Sequence, residues 1–182
     1  MNSSDLISLA LKCGAAKAVL MDHAQLVISP VFREICRSNS CGQYGRCWVC
    51  PPEIGEIDVL IQRLAPYKTI LWYQSISKIE DSFDIEGMLD AGRAHAQLSQ
   101  RINSALTNSS FSGFLHLSCG GCHLCERCAK QDQLPCRHPD RALSSLEGYG
   151  IDVYRTTKET PLSYINGKNT VTYFGAVFFA EE

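Results

Sequence analysis

Nine of the ten cysteines fall in two short windows, and their thiols are the side chains best placed to do chemistry. The first window reads CRSNSCGQYGRCWVCPP and sets Cys36, Cys41, Cys47 and Cys50 at C-x4-C-x5-C-x2-C spacing. Four thiolates, one on each iron, complete the coordination of a 4Fe–4S cube. Gly42 and Gly45 can carry the loop through positive φ and turn backbone N–H groups towards cluster sulfurs. Pro51 and Pro52 follow the last cysteine directly and stiffen the chain as it leaves.

The second window, CGGCHLCERCAKQDQLPCRHP, holds Cys119, Cys122, Cys125, Cys128 and Cys136. Its C-x2-C-x2-C steps match the ferredoxin triplet, in which one loop supplies three corners of a cube and a distant cysteine the fourth. Spacing alone leaves two registers open. One uses Cys122, Cys125 and Cys128 with Cys136, and the other uses Cys119, Cys122 and Cys125 with a later cysteine.

Zinc is the alternative, because paired C-x2-C knuckles also build four-cysteine zinc sites. Three consecutive C-x2-C steps exceed what one tetrahedral ion needs, and nine cysteines fit two cubes with one spare. A C-x2-C dithiol redox site would open a helix in a thioredoxin-like unit, and no such context is present.

Cations surround both windows: Arg37 and Arg46 in the first, Arg127, Lys130, Arg137 and Arg141 in the second. Each has an ordinary reading as solvated surface, and together they would favour an anionic cluster. His123 and His138 lie among the second set of cysteines as candidate hydrogen-bond donors to it. His23, His95 and His116 read as turn or packed histidines. Motifs for nucleotide binding, serine hydrolysis, zinc proteolysis, flavin binding and S-adenosylmethionine radical chemistry are missing. Nothing nominates a general base or nucleophile, so any catalysis would have to occur at a cluster.

The elements that position these loops follow from periodicity. Helices are expected over 3–13, capped by Ser3 or Ser4, over 55–65, over 85–106 and over 141–149. The 85–106 stripe runs through Met88, Ala91, His95, Leu98, Ile102 and Ala105. Cys13 sits on the first helix stripe as a small packed hydrophobe. Strands are expected over 17–21, 25–29, 69–76, 113–118, 151–154 and 171–180, with a polar loop over 108–112. Runs such as TILWYQSI and VTYFGAVFFA read as strands buried on both faces. The expected fold is α+β: a mixed three- to five-stranded sheet covered by helices, in one domain over 1–182 with cluster-binding loops at about 36–52 and 119–138.

Composition narrows the class. Hydrophobic residues at 45% and charged residues at 20% permit a real core. A net charge of −2 argues against broad nucleic-acid binding. No apolar run is long enough to cross a membrane, and the first segment lacks the basic start of a signal peptide. A cytoplasmic setting is therefore expected, where clustered cysteines serve metals more than disulfides.

Two stretches resemble a cysteine-rich family of unknown function described only as predicted metal-binding proteins. YGRCWVCPP is similar to its first signature, and CHLCERCAKQDQLPCRHPDRALSSLEGYGIDV to its second, with VTYFGAVFF like its last strand. The resemblance implies that Cys122, Cys125, Cys128 and Cys136 form the second ligand set. It supports Cys36, Cys41, Cys47 and Cys50 as the first. Cys119 departs from the pattern and stands as a spare thiol, a replacement ligand or part of a larger cluster. The reading is an iron–sulfur protein with two 4Fe–4S clusters that passes electrons to a redox partner protein in anaerobic metabolism. A structural zinc module, or an enzyme working at an open cluster iron, are the alternatives.

Overall fold

The structure is a computed structural model, and it describes residues 3–109 and 113–180. Five strands form one mixed sheet in the order β1-β2-β5-β3-β4. They are β1 (Lys17–Asp22), β2 (Tyr67–Lys78), β3 (Phe114–Ser118), β4 (Ser144–Ser145) and β5 (Thr170–Ala180). All neighbours are antiparallel except β3 and β4, which are parallel. The α+β class and the mixed sheet expected from the sequence are both present.

Alternation along the two central strands explains the layering, because successive strand side chains point to opposite faces. Ile70, Trp72, Phe174, Ala176 and Phe178 face one core with Leu60, Leu64, Leu117 and Leu146. Leu71, Tyr73, Val177 and Phe179 face the other, against Leu6, Ala10, Leu98, Ile102 and Leu106. The second core lies under helices α1 (Ser3–Lys12) and α4 (Ile85–Thr107). Complete burial of Trp72, Tyr73 and Phe178 anchors the sheet. A large apolar side chain taken from water into such a core contributes about 1.5–3 kcal/mol. Asp84 caps α4 by accepting from the Gly87 N–H at 2.8 Å. The expected α1 cap and part of the expected 108–112 loop lie outside the described side chains and residues.

Three expectations need correction. The strand over 25–29 is a 3-10 turn, His23–Gln25, followed by extended chain with one bridge from Ile28 to Ile151. Its N–H groups go elsewhere: Val27 donates to Thr156 Oγ1 at 3.0 Å and Ser29 to the Gly150 carbonyl at 2.7 Å. The helix over 141–149 is instead the short strand β4 and a 3-10 turn, Glu147–Tyr149. The strand over 151–154 gives way to helix α5 (Val153–Lys158), capped by Asp152 accepting from the Arg155 N–H. A helix absent from the sequence reading, α2 (Val31–Arg37), starts immediately after Pro30 and carries Cys36. Proline is tolerated at a helix start because the N–H it lacks would have no partner there. The helix expected over 55–65 is shorter, α3 (Ile57–Gln62).

Candidate metal centre

Both cysteine windows lie in irregular chain and meet on one side of the sheet. Cys36 sits near the end of α2, Cys41 in the turn that follows, and Cys47 and Cys50 on a knuckle before Pro51. Gly42 and Gly45 take φ of 72° and 69°, the left-handed region that glycine enters without strain. Their N–H groups do not serve sulfur, contrary to expectation. Gly42 donates to the Asn39 carbonyl at 2.9 Å and Gly45 to the Pro51 carbonyl at 2.8 Å, which closes the loop on itself.

The second window leaves β3 at Cys119, turns at Gly120 with φ of 61°, and runs through Cys136 with only a 3-10 turn, Ala129–Asp132, as regular structure. Contacts bind the two windows together. Arg46 donates to Gln131 Oε1 at 3.1 Å, and Trp48 Nε1 to the Leu134 carbonyl at 2.9 Å. Lys130 pairs with Glu53 at 2.8 Å and sits 4.9 Å from the Trp48 ring centroid. A Cβ on Gly121 would lie 2.8 Å from Gln43 Cγ, so the Gln43 side chain packs directly on the Gly121 backbone.

Two voids are each lined by four of the window cysteines. One of about 490 Å3 is lined by Cys36, Cys41, Cys50 and Cys119, with Glu147, Ser145, Tyr164 and β5 residues Val171–Phe174 on its far wall. The other, about 20 Å3, is lined by Cys122, Cys125, Cys128 and Cys136, with Ala129 and His138. Cys47 lines neither. It is buried, with the Cys50 and Cys128 thiols and the Val49 and Cys122 backbone among the groups that act on its thiol. Among the described residues, no three Cys, His, Asp or Glu side chains are drawn tightly enough together to hold one metal ion.

The thiols differ in environment. Hydrogen bonds, above all from Cys50, pull the Cys47 thiol down, and the Cys47 partnership with burial pushes Cys50 up. Burial pushes Cys119 up, with Glu147 adding to it, while Cys122 is raised by burial to about 11. Cys36 is raised by burial, partly offset by the nearby Arg33 guanidinium. Cys136 accepts from the N–H two residues further on, that of His138, at 3.4 Å. Such a bond favours the thiolate that a metal requires.

Several cations around the windows are already engaged. Arg37 pairs with Glu34, Arg127 with Asp132, and Arg137 donates to the Arg127 carbonyl. Arg141 lines a third cavity, of about 520 Å3, beside Cys119, Cys122 and His123. Two site-adjacent residues escaped the sequence reading. Arg33 is buried on α2 and donates to the Gly55 carbonyl at 2.7 Å. Glu147, whose carboxyl burial pushes up, faces the larger cysteine-lined void. Neither carries a motif, although a charged residue inside a short apolar stretch was the available signal for Arg33.

The histidines away from the windows are packed, as read. His116 bonds the Tyr73 hydroxyl at 2.8 Å and Asn103 Oδ1 at 3.2 Å, and His95 bonds Ser75 Oγ at 2.8 Å. A chain of hydroxyls runs from Tyr73 through Ser99 to Ser118, immediately before Cys119. Cys13 packs against the α1–α4 core.

No helix among the described residues is long and apolar enough to cross a membrane. No curated protein and no solved structure matches the chain. One family matches, described as predicted metal-binding protein (DUF2284), over residues 19–179. A match of that extent, running through both windows and nearly all of the sheet, places the chain in this family of predicted metal-binding proteins.

Proposed function

We propose that the protein is an iron–sulfur protein that holds two 4Fe–4S clusters, one per cysteine group, and passes electrons to a partner protein. The observation that carries this reading is that four cysteines line each of two voids. A cube takes four thiolates, one on each iron, so two sets of four match two cubes. The donor set is all sulfur, which suits iron–sulfur clusters, and the N–H bond to Cys136 can tune a potential. Cys47 touches both groups, so the two clusters would be near neighbours, as sequential electron transfer needs.

The test is iron and acid-labile sulfide analysis on protein purified without oxygen, with electron paramagnetic resonance after reduction. About eight irons per chain and cube-type signals are expected. Zinc without iron, in colourless protein, would overturn the reading in favour of a structural zinc module.

A second reading draws on the size of the larger void. At about 490 Å3 it has room beyond a cube, with the Glu147 carboxyl on its wall. A small substrate could meet an iron there that lacks a cysteine. A reduced spectrum altered by added imidazole would support this reading, and an unaltered one would count against it.

A further inference from the structure

The chain has nine window cysteines for eight cube corners, so one must be spare. Spacing leaves the place of Cys119 open, and the family resemblance implies ligand sets that leave it out. The structure assigns the spare place to Cys47: we infer that Cys119 is the fourth thiolate of the first cluster, beside Cys36, Cys41 and Cys50. The inference rests on the two-cluster reading above and deepens it.

Three observations carry it. First, Cys119 shares the larger void with Cys36, Cys41 and Cys50, whereas Cys47 is not on its wall. Secondly, the segment after Cys119 is shaped to meet the first window. Gly120 turns the chain, and bare Gly121 lies against Gln43, both bordering the same void. Thirdly, the second group is complete without Cys119, since Cys122, Cys125, Cys128 and Cys136 enclose their own void.

Cys47 is then a buried thiol outside both ligand sets, influenced by Cys50 of the first and by Cys122 and Cys128 of the second. The first set still ends before the second begins, but its last corner comes from beyond α4, three residues before Cys122. This also bears on chemistry. Four thiolates on four irons leave no open iron, so the first cluster would carry electrons and not bind substrate.

Cys119→Ser and Cys47→Ser, purified without oxygen, are compared with the unaltered chain by iron and sulfide content and by paramagnetic resonance. Cys119→Ser is expected to lose between one and four of about eight irons and to alter or abolish one of two cube signals. Cys47→Ser is expected to keep all of its iron and both signals, with at most a shift in potential. Retention of both signals in Cys119→Ser, or loss of iron from Cys47→Ser, would overturn the assignment while leaving the two-cluster reading intact. Absence of iron from the unaltered chain would overturn the two-cluster reading and this assignment with it. Should Cys119→Ser fail to fold, the iron content of Cys47→Ser decides alone.

Discussion

Three cysteines of the first window, Cys36, Cys41 and Cys50, come from a helix end, a turn and a knuckle, and they line a void of about 490 Å3 whose other wall includes β5. The second takes Cys122, Cys125, Cys128 and Cys136 from one continuous loop around a void of about 20 Å3. The first site is therefore a property of the whole fold. It needs the sheet, the end of β3 and the Glu147 turn to complete its wall. The second is largely local, set by short spacing and by its own backbone turns. Damage to the sheet should then reach the first site before the second, and this difference can be tested.

Acid gives the largest effect. His116 is pushed down to about 3 and His95 to about 4, chiefly by burial. An unfolded histidine titrates near 6.5, so below that pH the unfolded chain binds more protons than the folded one. Stability is full above about 6.5 and is lost as pH falls towards these folded values. From pH 7 to pH 5 the two histidines together should cost on the order of 3 kcal/mol. Denaturant melts at the two pH values measure it, and His116→Gln should remove about half of the difference. A stability unchanged between pH 7 and pH 5 would show that these histidines do not support the first site.

Gly175→Ala comes next. Gly175 lies opposite Tyr73 in the β2–β5 pair, and a Cβ there would overlap the Tyr73 ring and hydroxyl. Tyr73 must move, which breaks its bonds to Ser99 and His116 and disturbs the hydroxyl chain to Ser118 beside Cys119. Forcing a methyl into a packed core costs typically about 1–3 kcal/mol. The expected outcome is a destabilised protein in which one cluster signal changes and the other does not. Equal change in both signals would remove the distinction between a supported and a local site.

Legibility in the sequence divides along the same line. Strands β2 and β5 and helix α4 were readable because long amphipathic or apolar runs leave a period that little else imitates. The triplet around Cys122 was readable because its chemistry lies within one loop. Helix α2 was not, since seven residues after a proline give a weak period and its buried residue is Arg33. The 144–158 region misled because tertiary pairing decides it: β4 exists only where Ser144 and Ser145 lie beside Leu117 and Ser118. The place of Cys119 was likewise hidden, because neighbours brought together across α4 and β3 leave no spacing to read.

The smallest effect concerns the join between the windows. Trp48 holds the Leu134 carbonyl through Nε1 and lies under Lys130, which also pairs with Glu53. Trp48→Ala removes one hydrogen bond and one partly exposed cation–π contact, about 1 kcal/mol in all. Neither void takes Trp48 as a wall beside its four cysteines, so the iron content should not fall. On the two-cluster proposal, what should change is the relation between the clusters, because the windows lose a contact that holds them in register. The magnetic interaction between two reduced clusters should then weaken, read as narrower paramagnetic resonance lines at unchanged spin count. Loss of half the iron would instead mean that this contact holds one site directly, and that the second window is less self-contained than its enclosed void indicates.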